Sequence, residues 1–267
     1  MTGLVVDNLN IDMRPLDIPG YVNSAHMEDL ARTVDSLSDV ARILEIGCGY
    51  GRSTVCTLNH MKPTQTLTVV DTFIHLKPSK IIKSIQKHHK REGKKINKIL
   101  SENIRVLNQK GQRGLFDHVL QQHPLRHTVT VHQMSSKQYI AENPLDTYDA
   151  VYIDGEHTYD AVMMELDHFQ NTITLMGDDY GPAHPGVTRA IDVIRKRYPD
   201  RAWYPPRLQL KSGFWCIERV LKYCSKKKLS GYLQIIQKGS THKKIKLRKI
   251  KKKYLGSRGG DLTPMRC

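Results

Sequence analysis

Residues 41–51, ARILEIGCGYG, constrain the fold of this chain more than any other stretch. A short β-type apolar run that breaks into Gly47, Gly49 and Gly51 reads as a buried parallel strand turning sharply into a helix. Glycine permits that turn because it has no Cβ to clash and tolerates positive φ, so backbone can approach a ligand. RSTVCTLNHM (52–61) supplies the helix, and TLTVV (66–70) a second buried strand that ends at Asp71, 20 residues after Gly51. In a doubly wound sheet this places a carboxylate beside the ribose of a nucleoside held by the loop, able to accept from both hydroxyls. The dinucleotide fingerprint G-x-G-x-x-G is spaced differently, because Arg52 and Ser53 follow the third glycine here.

Strands and helices alternate through the rest of the chain. Met27, Leu30, Ala31, Val34 and Leu37 recur at helical spacing behind Ser24, the expected N-cap. A lysine-rich stretch predicts two surface helices near 79–91 and 95–108, the second with Ile96, Leu100, Ile104 and Leu107 inward. Residues 127–132, 148–153 and 172–177 read as the third, fourth and fifth strands, the first two of them followed by helices around 138–142 and 161–169. A further helix runs from Pro185 to Arg197, and 202–205 with 213–219 form a terminal strand pair. The alternation predicts an α/β parallel sheet.

The net charge of +16 suggests a nucleic-acid binder until it is mapped. Residues 221–267 carry 15 Lys/Arg against Asp261, and residues 75–98 carry nine against Glu92, whereas the remainder holds 18 basic and 24 acidic residues. The body is therefore mildly acidic, and the basicity belongs to an insert and a tail. The densest block, 243–253, has eight basic residues in eleven and repels itself, so it is expected to be disordered or loosely helical when unbound. It reads either as an attachment to nucleic acid, an anionic surface or an acidic partner, or as a solvated tail. Only Tyr254 at its end is available for base stacking, which does not indicate a specific nucleic-acid reader. Cys48, Cys56, Cys216, Cys224 and Cys267 form no CxxC pair and favour a reducing compartment. With no run near the roughly 18 apolar residues of a membrane span and no secretory signal pattern, a cytoplasmic protein without a transmembrane segment is expected.

A second constellation sits further along. YDAVYIDGEHTYDAV places Asp154 at the end of the fourth strand and His157 three residues later, and MGDDYGPAHPGVTRAI places Asp178 and Asp179 at the end of the fifth. Neighbouring parallel strands end on the same side, so three carboxylates converge where open α/β sheets bind ligands. A hard divalent cation such as Mg²⁺ relieves their repulsion. His157 has the ordinary imidazole character suited to accepting a hydroxyl proton, with His184 and His132 as alternatives, the latter more consistent with a structural role.

The E-x-G-x-G-x-G form of residues 45–51 resembles motif I of the class I S-adenosylmethionine-dependent methyltransferases. The aspartates resemble those of the metal-dependent O-methyltransferases, the group of the catechol and antibiotic-sugar enzymes, and IDGEHTYDAV is similar to the IDG-x-H-x-Y signature of a broad class I family. The resemblance covers roughly 40–220. It implies a Rossmann-like, doubly wound seven-stranded sheet, mostly parallel with an antiparallel terminal strand. The cofactor set it implies is Glu45, Gly47, Gly49, Gly51, Ser53 and Asp71, with Ser135 and Ser136 near the adenine. Asp154, Asp178 and Asp179 match the metal positions, and His157 falls where the catechol enzymes carry their catalytic lysine. Two departures stand out: no acid follows the third strand, and QNTITLMG replaces the glycine pair before the fifth.

The organisation expected is an N-terminal segment with one helix (1–40), a methyltransferase domain (41–220) with a basic helical insert (75–110), and the tail (221–267). The expected reaction is Mg²⁺-assisted methyl transfer from S-adenosylmethionine to a hydroxyl of a small acceptor such as a sugar or vicinal diol. Tyr180, Trp203, Tyr204 and Trp215 are candidates to wall the acceptor, or simply pack. The rival readings are an RNA methyltransferase using the insert and tail, and a non-catalytic nucleoside-binding protein of the same fold.

Overall fold

In the computed structural model, residues 13–74, 78–91, 95–206 and 212–219 are described below. The expected basic tail and its block 243–253 lie outside them.

Five strands run parallel: β1 (Arg42–Ile46), β2 (Thr66–Asp71), β3 (Val129–Gln133), β4 (Ala150–Ile153) and β5 (Thr174–Gly177). β6 (Ala202–Tyr204) and β7 (Trp215–Glu218) complete a seven-stranded sheet in the order β3-β2-β1-β4-β5-β7-β6, with β7 antiparallel to both neighbours. The expected doubly wound α/β sheet with a reversed terminal strand is therefore present. Strand order reverses between β1 and β4, and the crevice beyond their carboxyl ends is where such sheets bind ligands.

Both faces of the sheet are covered, so side chains alternate between two cores with the period-2 geometry of strands. Ile43, Leu67, Val69 and Tyr152 face one side, against Leu30 and Val34 of α1 (Ser24–Asp35) and Leu58 of α2 (Arg52–His60). Leu44, Ile46, Val151 and Ile153 face the other, against Tyr139 of α5 (Ser136–Glu142), Leu166 of α6 (Tyr159–His168) and Ile191 of α7 (Pro185–Arg197). A third cluster joins Ile81, Ile82 and Ile85 of α3 (Pro78–Arg91) to Leu100, Leu107 and Leu115 of α4 (Lys98–Gln121) and to Tyr50 and Val55 beside the glycine loop. The basic insert is thus amphipathic, with Lys80, Lys83 and Lys87 exposed on the face opposite the isoleucines.

Three local expectations are corrected. α1 is capped by Asn23, whose side chain accepts from His26 N, rather than by Ser24, the first helical residue. The third strand starts at Val129 because Pro124–Thr128 form a 3₁₀ turn. The helix expected over 95–108 runs to Gln121, bending at Gly111, where φ is 71°. The Arg52 guanidinium donates to the carbonyls of Ile18 (2.8 and 2.6 Å) and Val22 (2.6 Å), fastening the segment before α1 to α2. Among the described residues no helix is long and apolar enough to cross a membrane.

Candidate active site

The glycine loop closes over the carboxyl end of β1. Gly47 N donates to Val70 O (2.9 Å) and Asp154 N donates to Ile46 O (2.8 Å), which locks the three strand tips together. Gly47 has φ 83°, and a Cβ there would overlap the Asp154 carbonyl, so only glycine fits. Gly51, at φ 95°, caps α2 and turns its first amides toward the loop. Glu45 is buried beneath, accepting from Ser53 Oγ (2.5 Å) and Thr54 Oγ1 (2.7 Å). Burial pushes its carboxyl up to about 7, against the opposing pull of those two hydroxyls. Ser53, expected beside the cofactor, thus spends its hydroxyl on Glu45.

Asp71 stands at the tip of β2 facing the loop. One carboxylate oxygen accepts from Gly49 N (2.9 Å) and the other from Phe73 N (2.6 Å), leaving lone pairs for a further donor. Gln112 of α4 braces this pair, donating to Gly49 O (3.0 Å) and approaching Asp71 at 3.4 Å. Ser135 and Ser136 follow β3, whose Gln133 is in register with Asp71. Ser135 caps α5, accepting from Gln138 N at 3.2 Å, and Ser136 favours the ionised form of Glu165.

Beside the loop lies the acidic rim. Asp154 accepts from Tyr152 OH (3.3 Å) and lies 3.9 Å from His157 Nε2. His157 Nε2 is 2.8 Å from Asp179 Oδ2, and His184 Nε2 is 3.3 Å from Asp179 Oδ1. The two imidazole rings meet edge to face at 4.5 Å. Asp178 turns elsewhere: its Oδ1 accepts from Asp179 N (2.6 Å) and lies 3.2 Å from His26 Nδ1. His26 Nε2 meets Tyr152 OH at 2.9 Å, so a buried histidine of α1 links Asp178 to the tyrosine that supports Asp154. The three aspartates therefore share one rim, but Asp154 and Asp179 face His157 whereas Asp178 faces His26.

The electrostatics follow from this packing. Burial raises the Asp154 carboxyl, and the charges of Asp178 and Asp179 add to the rise. Burial alone would raise Asp178 too, but His26 and the Asp179 N–H hold it below its ordinary value. The neighbouring carboxylates of Asp154 and Asp179 push the His157 imidazole up to about 10. The sequence suggests an ordinary imidazole at His157; facing two carboxylates, it is one whose protonated form is favoured.

Of the other candidates, His132 packs edge to face on Tyr139 at 5.0 Å, a structural position. Trp215 is buried and donates to Asp178 O (2.9 Å), whereas Tyr180 and Trp203 meet at a tilt, 5.4 Å between centroids, partly buried against the core cluster that includes Ile191 of α7. Tyr204 packs against the core cluster beneath α1. His26, Tyr152 and Gln112 are site-supporting residues that the sequence reading missed. The signal for His26 was a polar residue on the buried stripe of α1, one turn before Leu30.

A seven-stranded sheet with one reversed strand, and a glycine loop and acid at its switch point, is a class I methyltransferase fold. Residues 44–177, half of the chain, match the family described as "Methyltransferase domain", and the chain belongs to that family: it is an S-adenosylmethionine-dependent methyltransferase. The cofactor-bound Rv0187 protein from MTB shares 12% identity over 74% of this chain and 81% of its own, with a TM-score of 0.50. A Klebsiella pneumoniae protein described as a candidate O-methyltransferase shares 15% identity over the same fractions, also at 0.50. Both likenesses are of fold. No curated protein matches the chain at a significant level.

Proposed function

We propose that this methyltransferase acts on a hydroxyl oxygen of a small acceptor with neighbouring hydroxyls, such as a sugar or catechol, with the help of a divalent cation. The observation that carries the reading is that Asp154, whose backbone carbonyl packs on Gly47 of the glycine loop, is continuous with the His157/Asp179/His184 cluster, lying 3.9 Å from His157. The loop fits S-adenosylmethionine: positive-φ glycines clear space for backbone approach, and Asp71 retains acceptor capacity for ribose hydroxyls. The rim fits a cation, because carboxylates crowded enough to perturb one another are relieved by positive charge.

When bound, S-adenosylmethionine supplies an electrophilic methyl group on sulfonium, and the cation supplies charge that acidifies the acceptor hydroxyl. Glu45, through Ser53 and Thr54, fixes the first turn of α2 and hence the loop. Asp154, Asp178 and Asp179 provide the negative charge of the cation site, with Asp178 held by His26. His157, 2.8 Å from Asp179 and 3.9 Å from Asp154, offsets part of the charge of this rim.

The test is radiolabelled methyl transfer onto sugars, catechols and RNA, with and without EDTA. Transfer to a diol that stops with EDTA and with Asp179→Ala, while S-adenosylhomocysteine still binds, supports the reading. Transfer to RNA, steeply weakened by salt, would favour the alternative that uses the basic insert and tail. Cofactor binding without transfer to any acceptor would favour a non-catalytic protein.

A further inference from the structure

We propose that His157, Asp179 and His184 form a mixed imidazole–carboxylate centre that takes a late first-row divalent ion, such as Co²⁺ or Zn²⁺, in preference to Mg²⁺. The inference rests on the cation-assisted reading above and names the class of ion.

The three side chains come from three separate elements: the loop after β4, the tip of β5 and the position before α7. Their ligand atoms lie within 4.8 Å of one another. Metal–nitrogen and metal–oxygen bonds of about 2.1 Å put neighbouring ligands at right angles about 3 Å apart. The observed His157–Asp179 and His184–Asp179 separations, 2.8 and 3.3 Å, bracket that spacing. Each imidazole presents the same nitrogen, Nε2, to the same carboxylate, which leaves each Nδ1 for a supporting hydrogen bond. His184 occupies the N-cap position of α7 yet makes no side-chain capping bond, so its ring is committed to the cluster instead. Asp179 is held at φ 65°, an uncommon conformation for a non-glycine residue.

Ligand chemistry then selects the ion. Mg²⁺ prefers an all-oxygen octahedron and dehydrates reluctantly, whereas imidazole suits the later first-row divalent ions. Asp178, the carboxylate that would make an all-oxygen site, already accepts from Asp179 N and faces His26. Two nitrogens and one carboxylate leave positions open for chelation by adjacent hydroxyls of an acceptor, with Asp154 alongside at 3.9 Å from His157 Nε2.

The experiment is calorimetric titration of the full-length, EDTA-stripped protein with MgCl₂, MnCl₂, CoCl₂ and ZnCl₂, joined to the visible spectrum of the Co²⁺ form. Expected are one-to-one binding of Co²⁺ and Zn²⁺ at least about 100-fold tighter than Mg²⁺, and a loss of about tenfold or more in Co²⁺ affinity in His157→Ala and His184→Ala, with an altered Co²⁺ spectrum. His127→Ala, at an exposed histidine outside the cluster, should bind as the parent does. Equal affinity for Mg²⁺ and Co²⁺, or Co²⁺ binding unchanged in both cluster variants, overturns the inference but leaves a carboxylate-held cation standing. The absence of any stoichiometric ion binding overturns both, and S-adenosylhomocysteine binding to the stripped protein tests the methyltransferase site separately.

Discussion

Replacing Glu165 with glutamine isolates the cost of a buried charge directly under the candidate site. Glu165 lies on α6 with no exposed surface, and neither carboxylate oxygen has a hydrogen-bond partner of good geometry. Its Oε1 faces Gly155, next to Asp154. Burial pushes this carboxyl from its ordinary 4.5 up to about 7, only partly opposed by Ser136. A carboxyl whose folded pKa is raised binds protons more tightly in the folded state. Stability therefore falls as pH rises from about 4.5 to about 7 and is level on either side of that window. At 1.36 kcal/mol per unit, the span corresponds to a loss of about 3 kcal/mol as an upper limit. Glu165→Gln removes the titration. The amide is also buried, but the cost of its burial does not vary with pH. The assay is urea denaturation of parent and variant at half-unit steps from pH 4.5 to 8.5. The variant's stability relative to the parent should climb by about 2–3 kcal/mol between pH 4.5 and 7 and then stay flat. A difference that is constant across the range, or that climbs in the opposite direction, would refute the account of Glu165 as an unsupported buried carboxyl.

Two other substitutions probe the loop and the helix that supports it. Gly47→Ala forces a Cβ into the Asp154 carbonyl at φ 83°, so a loss of about 1–3 kcal/mol in stability is expected, together with at least tenfold weaker S-adenosylhomocysteine binding by calorimetry. Phe116→Ala removes a ring that packs on Phe73 (5.2 Å between centroids) and lies 3.2 Å from where a Gly51 side chain would begin; denaturation should show a loss of about 3–5 kcal/mol.

Much of the frame was legible because its signals were local. β1 and β4 are short apolar runs buried on both faces that stop at Gly47 and Asp154, and their length and flanking turn residues, rather than any periodicity, mark such segments. The second half of α4 was not legible, because Gly111 and Gly114 interrupt the pattern although Leu115, Phe116 and Val119 are fully buried beyond them. Tertiary packing holds that half in place against low local propensity. At the site, the rim position of Asp71, Asp154 and Asp179 follows from strand order and was readable. The destination of a hydroxyl was not: Ser53 serves Glu45 and Ser135 serves α5, choices made by neighbours distant from any motif. The environment of His157 was only half visible: Asp154, three residues before it, acts with Asp179, 22 residues away in sequence.

Asp178 and Asp179 show why adjacency in a motif does not mean a shared task. With Asp179 at positive φ, its amide donates back to Asp178 Oδ1, which turns the two carboxylates to different partners. Asp178 then reaches inward to His26, and its backbone carbonyl takes the Trp215 indole N–H. Asp179 reaches outward to His157 and His184. One residue anchors the turn to the core while the other presents charge at the surface. That division lets a half-buried carboxylate keep a fixed direction, because the residue before it is tied to the buried His26 of α1 and to β7. Gly213 completes the arrangement: a side chain there would strike Asp178 Oδ1, so close approach of the segment before β7 is built into the same turn. The acidic rim is therefore supported from α1, β4 and β7 at once, and its geometry is a property of the whole sheet edge rather than of the two motifs that first point to it.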